Sequence, residues 1–95
     1  IRGGAGRDTL YGNFGNDTLE GEGDNDSLFG GEQNDILRGG TGADQLNLGS
    51  GSDLAEGGPG NDTFNGGIPL NGPEPDIFDG GTGTDTLDYS AFTAG

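Results

Sequence analysis

The stretch GGTGADQLN, residues 39–47, decides the fold. Two glycines, a third after one intervening residue, an aspartate at the sixth place and a leucine at the eighth define a unit G-G-x-G-x-D-x-U-x, with U apolar. Working backwards from it, the same unit recurs without spacers as GGEQNDILR (30–38), GEGDNDSLF (21–29), GNFGNDTLE (12–20) and GGAGRDTLY (3–11). Working forwards, it recurs as LGSGSDLAE (48–56) and GGPGNDTFN (57–65). An eighth unit opens at Gly66 and Gly67, carries the insertion 68–75 with Pro69, Pro73 and Pro75, and resumes at Asp76; a ninth, GGTGTDTLD, fills 80–88. Internal repetition at a fixed short period signals a solenoid and takes precedence over composition.

Composition alone points elsewhere. With 24 Gly, 4 Pro, 26% hydrophobic residues and a formal charge of -14 over 95 residues, the chain has the profile of a disordered acidic segment. Low-complexity disorder does not hold a nine-residue phase through seven consecutive units, so an ordered array is expected. There is no Cys and no His, which excludes disulfides, thiolate metal sites and the usual nucleophile–base pairs. No apolar run approaches the roughly 18 residues of a membrane span.

Each unit asks for two backbones. Glycines at the first, second and fourth places suit positive φ, and Asn13 in a glycine slot is the next best residue for it, so six residues make a turn. The last three place one apolar side chain, Leu10, Leu19, Leu28, Leu37, Leu46, Ala55, Phe64, Phe78 or Leu87, between outward neighbours, as in a short strand. Nine residues then form half a coil and eighteen a full one. Odd units stack on one side and even units on the other. The expected fold is all-β, a right-handed parallel β-roll with two short-stranded sheets. A single domain over 1–95 is expected, cut from a longer protein, with 89–95 as a closing segment that caps the core.

The unit resembles the nonapeptide of the RTX (repeats-in-toxin, hemolysin-type) family, and the match runs from residue 3 to 88. The resemblance implies calcium bound between successive turns on the same edge. The ion takes about 6 to 8 oxygens at roughly 2.3 to 2.6 Å, and one turn with a carboxylate and inward carbonyls supplies half of them. Carried onto this chain, the implied ligands are Asp8, Asp17, Asp26, Asp35, Asp44, Asp53, Asp62, Asp76 and Asp85. Backbone carbonyls are implied near Gly4, Gly6, Asn13, Gly15, Gly31, Gly40, Gly42, Gly49, Gly51, Gly58, Gly60, Gly81 and Gly83. One edge pairs Asp8 with Asp26, Asp26 with Asp44, Asp44 with Asp62 and Asp62 with Asp85. The other pairs Asp17 with Asp35, Asp35 with Asp53 and Asp53 with Asp76, giving up to seven intramolecular sites. The insertion falls within the last of these.

Departures from the unit mark expected weak points: Leu48 in place of the first glycine, Glu22 at the second place, and Asp24 and Gln33 at the fourth. Glu22 and Asp24 are read as solvated acids and the insertion as surface variation. Asn16, Asn25 and Asn61 begin formal glycosylation sequons, but asparagine suits the fifth turn place and they are read as turn residues. At the ninth place Tyr11 and Phe29 should be neighbours on the odd face. An EF-hand reading fails, because Leu28 follows where a ligand should stand. Collagen fails because the seventh place is never glycine. No catalytic role is expected, since carboxylates held on calcium are poor acids and bases. The implied function is a calcium-binding structural module that folds outside the cell, within a type I secreted bacterial toxin, protease, lipase or adhesin. The alternative is a recognition module for a polysaccharide or cell surface. Flanking domains are the expected partners; nucleic acid is not, given the acidic surface.

Overall fold

The computed structural model describes residues 1–49, 51–65 and 77–88, and every regular element among them is a short strand. In order these are β1 (Arg2–Gly4), β2 (Thr9–Tyr11), β3 (Thr18–Glu22), β4 (Ser27–Phe29), β5 (Ile36–Gly40), β6 (Gln45–Asn47), β7 (Leu54–Glu56), β8 (Thr63–Asn65), β9 (Ile77–Asp79) and β10 (Thr86–Asp88). They assemble into two five-stranded sheets, β1-β3-β5-β7-β9 and β10-β8-β6-β4-β2, with every neighbouring pair parallel. The chain crosses from one sheet to the other at each turn, which makes a β-solenoid of about four turns. Odd and even units do separate onto two sides.

Register follows the repeat. Leu10 lies beside Leu28, Leu28 beside Leu46 and Leu19 beside Leu37, each pair 18 residues apart. Across the insertion the offset becomes 23, as in Ala55 beside Phe78 and Phe64 beside Leu87. Both sheets therefore resume in phase after the five extra residues. The insertion 68–75, Asp76 and the closing segment 89–95 lie outside the described residues. One strand was not expected: β1 pairs with β3 through Arg2 and Glu20. β1 runs from Arg2 into the first two places of the first unit, as β3 runs into Gly21 and Glu22.

The core is a single file of U side chains between the sheets. Leu19, Leu28, Leu37, Leu46 and Ala55 are fully buried, Leu10 and Phe64 nearly so, and Phe78 packs against them from a half-buried position. Phe64 and Phe78 meet edge to face, with ring centroids 5.7 Å apart. Leu48 corrects the sequence reading: it is fully buried in the same cluster. The first turn place faces inward, as the buried Gly21, Gly30, Gly39 and Gly57 show, so an apolar side chain there adds to the core. Replacing Leu37 by Ala should destabilise the calcium-loaded chain by about 2–5 kcal/mol. The same change at Phe14, 78% exposed, should stay within about 0.5 kcal/mol. Urea denaturation in saturating calcium measures both.

Rows of side chains run along the outer faces at a step of eighteen. On the even side Arg2, Glu20, Arg38 and Glu56 alternate in charge, with contacts of 3.2, 3.6 and 3.0 Å. Beside them Ile36, Leu54 and Ile77 form an aliphatic row in register. On the odd side Tyr11 and Phe29 stack as expected, at 4.9 Å. Asn47 and Asn65 continue that row, the Asn65 Nδ2 donating a hydrogen bond to Oδ1 of Asn47 at 2.8 Å.

Candidate metal centre

Each turn aspartate is held by the coil that precedes it. The backbone N–H of Asp8 donates to Oδ1 of Asp26 at 2.8 Å, that of Asp26 to Asp44 at 2.8 Å, Asp44 to Asp62 at 2.9 Å and Asp62 to Asp85 at 2.9 Å. On the other edge Asp17 donates to Asp35 at 2.8 Å and Asp35 to Asp53 at 2.7 Å. Six of the seven pairs read from the sequence are thereby brought together. The seventh, Asp53 with Asp76, lies outside the described residues.

The second carboxylate oxygen is in a different state. Oδ2 of Asp8, Asp17, Asp26, Asp35, Asp44 and Asp62 is buried and accepts no hydrogen bond. Asp26, Asp35, Asp44 and Asp62 are themselves only 1–2% exposed. A buried carboxylate oxygen without a partner is costly unless a cation stands against it. Burial accordingly pushes the carboxyl groups of Asp26, Asp35 and Asp62 above their usual range, with neighbouring aspartates adding to the effect and a backbone hydrogen bond opposing it. Asp44 is pushed up to about 6, again chiefly by desolvation.

Space for that oxygen explains the first glycine of each unit, and here the sequence reading needs correcting. Positive φ occurs at the second and fourth places, including Asn13, Glu22, Asp24 and Gln33, and not at the first. A Cβ on Gly21 would come within 2.5 Å of Oδ2 of Asp26, and one on Gly39 would collide with Oδ2 of Asp44. At Gly3, Gly21, Gly39, Gly57 and Gly80 the room of a Cβ is therefore taken first by the unit's own carboxylate, and at Gly12 and Gly30 first by a carbonyl of the next coil.

Carbonyls come from the second and fourth places. The carbonyl oxygens of Asn13, Gly31 and Gly40 lie where a Cβ on Gly31, Gly49 and Gly58 would stand, and those of Gly42 and Gly60 where one on Gly60 and Gly83 would stand. Glu22, Asp24 and Gln33 place theirs in the same way against Gly40, Gly42 and Gly51, and none of the three is among the carbonyl positions the resemblance implies. Their φ of 80°, 71° and 76° reproduces the glycine conformation. Asp24 is exposed, yet its Oδ2 also accepts the N–H of Gly6 at 2.8 Å. Among the described residues no three acidic side chains converge. Carboxylates come in pairs, and backbone oxygens must complete any coordination shell.

The model of the RTX calcium-binding nonapeptide repeat matches four times, over residues 1–28, 20–55, 38–68 and 72–91. The chain belongs to that family. No individual curated protein and no solved structure matches it. For an RTX repeat the hard oxygen set found here, paired carboxylates and turn carbonyls with neither nitrogen nor sulfur, suits calcium. The RTX turn aspartates with an unpartnered Oδ2 would hold the ion, and its double charge would offset the carboxylates that burial otherwise drives toward protonation.

Proposed function

We propose that the chain is a calcium-triggered folding module of a larger type I secreted bacterial protein, unfolded at cytosolic calcium and folded outside the cell. The observation that carries this reading is the file of buried Oδ2 atoms, Asp8, Asp26, Asp44 and Asp62 on one edge and Asp17 and Asp35 on the other. Such a stack is self-repulsive until cations enter it. Up to seven ions are expected, six between the described aspartate pairs and one between Asp53 and Asp76. Seven divalent ions equal in magnitude the chain's formal charge of -14. No catalytic role is assigned, because the chain has neither His nor Cys and its buried carboxylates are committed to the metal. The neighbouring parts of the parent protein are its expected partners.

Calorimetric titration with calcium tests the reading. Half-saturation near 10⁻⁴–10⁻³ M, the range of extracellular calcium modules, supports export followed by folding. Half-saturation at cytosolic, submicromolar calcium would sink the export role while leaving calcium binding intact. Recognition is the second reading, favoured by the exposed Tyr11 stacked on Phe29. Binding of the calcium-loaded chain to a glycan array, lost in Tyr11→Ala, would establish it.

A further inference from the structure

A second set of side chains ties successive coils together beside the aspartates. The residue at the fifth turn place precedes each aspartate, and where it is asparagine its Oδ1 accepts the N–H of the fifth residue one coil later. Asn16 receives Asn34 at 3.0 Å, Asn25 receives Ala43 at 2.8 Å, Asn34 receives Ser52 at 2.8 Å and Asn61 receives Thr84 at 2.9 Å. The direction is opposite to that of the aspartates, whose Oδ1 reaches back to the preceding coil. An Asn-Asp pair therefore straps its coil both forwards and backwards.

Among the described turn pairs, two lack the forward strap. Between the coils of Asp8 and Asp26 the fifth residue is Arg7, and no hydrogen bond joins its side chain to Asn25 among the described residues. Between the coils of Asp44 and Asp62 it is Ala43, which has no acceptor to offer. On the odd edge strapped and unstrapped pairs therefore alternate. A surface depression opens at the first unstrapped pair, lined by Arg7, Asp8, Asn25, Asp26 and Ala43 among others, and it places a cation beside the carboxylates that would meet the metal.

We infer that Asn16, Asn25, Asn34 and Asn61 are positioning residues that preset coil spacing for calcium, and that the Asp8–Asp26 and Asp44–Asp62 sites, which lack such a strap, release calcium first. The inference rests on the calcium reading above. The physical reason is preorganisation: a turn already held at its bound spacing loses less conformational freedom when the ion enters. One net hydrogen bond corresponds to roughly a two- to tenfold change in local affinity.

The test is a chelator titration of the ¹⁵N-labelled, calcium-saturated chain followed by NMR. The amide of the first aspartate in each pair reports its site, because that N–H donates across the pair. In the unmodified chain the Asp8 and Asp44 amides should leave their bound positions at roughly two- to tenfold higher free calcium than those of Asp17 and Asp26. Ala43→Asn should bring Asp44 into the late group while Asp8 stays early. Asn34→Ala should move Asp35 alone to the early group. A merely stabilising effect of either substitution would shift all reporters together, and that result overturns the inference. So does an Asp44 amide unmoved by Ala43→Asn. If calcium perturbs no turn amide in any of the proteins, the calcium reading itself falls and takes the inference with it.

Discussion

Stripped of all its calcium by excess chelator, the chain is expected to lose its β-sheet circular dichroism and expand from a radius of gyration of 12.2 Å toward roughly 30 Å, and to recover both when calcium returns. The cause lies in the turns. Six aspartate pairs stack at hydrogen-bond distance, and burial raises the pKa of Asp26, Asp35, Asp44 and Asp62. Near neutral pH the folded apo chain must therefore hold ionised carboxylates in places that disfavour ionisation. Opposing that is a core one side chain wide. Each nine-residue unit commits one apolar U residue, and in the sixth unit, where U is as small as Ala55, Leu48 adds the second buried side chain. Where a fold cannot stand without its metal, binding free energy is folding free energy. Magnesium at equal concentration should fail to replace calcium, because it demands near-ideal octahedral geometry and dehydrates reluctantly. A far-ultraviolet spectrum and scattering profile unchanged by chelation would refute this expectation.

Most of the architecture is legible because the unit is strict. An apolar residue two places after each aspartate locates every strand from β2 to β10, and a nine-residue half-coil separates odd units from even ones. Register across the insertion is legible too. A solenoid can extrude extra residues only from a turn, so the strands resume in phase at Ile77 and Thr86. The aspartate pairing follows from the same arithmetic.

What stays hidden is the contact that variable places make between coils, or depends on space rather than conformation. The ninth places put Glu20, Arg38 and Glu56 on one face, but their ion pairs with each other and with Arg2, and the Ile36–Leu54–Ile77 row, arise at places the repeat leaves free. Hydrogen bonds from one asparagine to the next coil's amide are invisible for the same reason, since asparagine also suits the turn locally. The first glycine misleads differently. Glycine is read most readily as a demand for positive φ, yet Gly21 and Gly39 are glycine because Asp26 and Asp44 occupy the room a Cβ would take. Leu48 shows the converse: an inward place that accepts an apolar side chain. The carbonyls of Glu22, Asp24 and Gln33 are missed because the backbone that directs them does not require the residue that usually advertises it.

Asp44→Asn should separate the charge of a carboxylate from its hydrogen bond, with effects of opposite sign in the two states. Asp44 belongs to two pairs, and its Oδ1 accepts the N–H of Asp26, which an amide oxygen can also do. Its folded-state carboxyl is raised to about 6 from the ordinary 3.8, first by desolvation and then by the charges of Asp62 and Asp26. With the folded pKa above the unfolded one, the folded apo chain binds more protons between those values. Its stability is therefore present at low pH and lost as pH rises through about 6. Removing the charge should relieve the apo fold at pH 7.5 by on the order of 3 kcal/mol, since each tenfold change in proton affinity corresponds to about 1.36 kcal/mol, and should flatten its pH dependence. In calcium the sign reverses. Two sites lose a charged ligand, and since loss of even a second-shell partner weakens metal sites by about 10–100-fold, the calcium midpoint at pH 7.5 should rise at least tenfold. Lowering the pH from 7.5 to 5.5 should raise the midpoint of the unmodified chain, because protons compete for the same oxygens, and raise that of the variant less. Glu32→Gln removes an equal charge from an exposed turn position outside the aspartate pairs, and should leave both midpoint and pH dependence near those of the unmodified chain. Equal shifts in the two variants would mean that net charge, and not the occupied oxygen, sets calcium affinity.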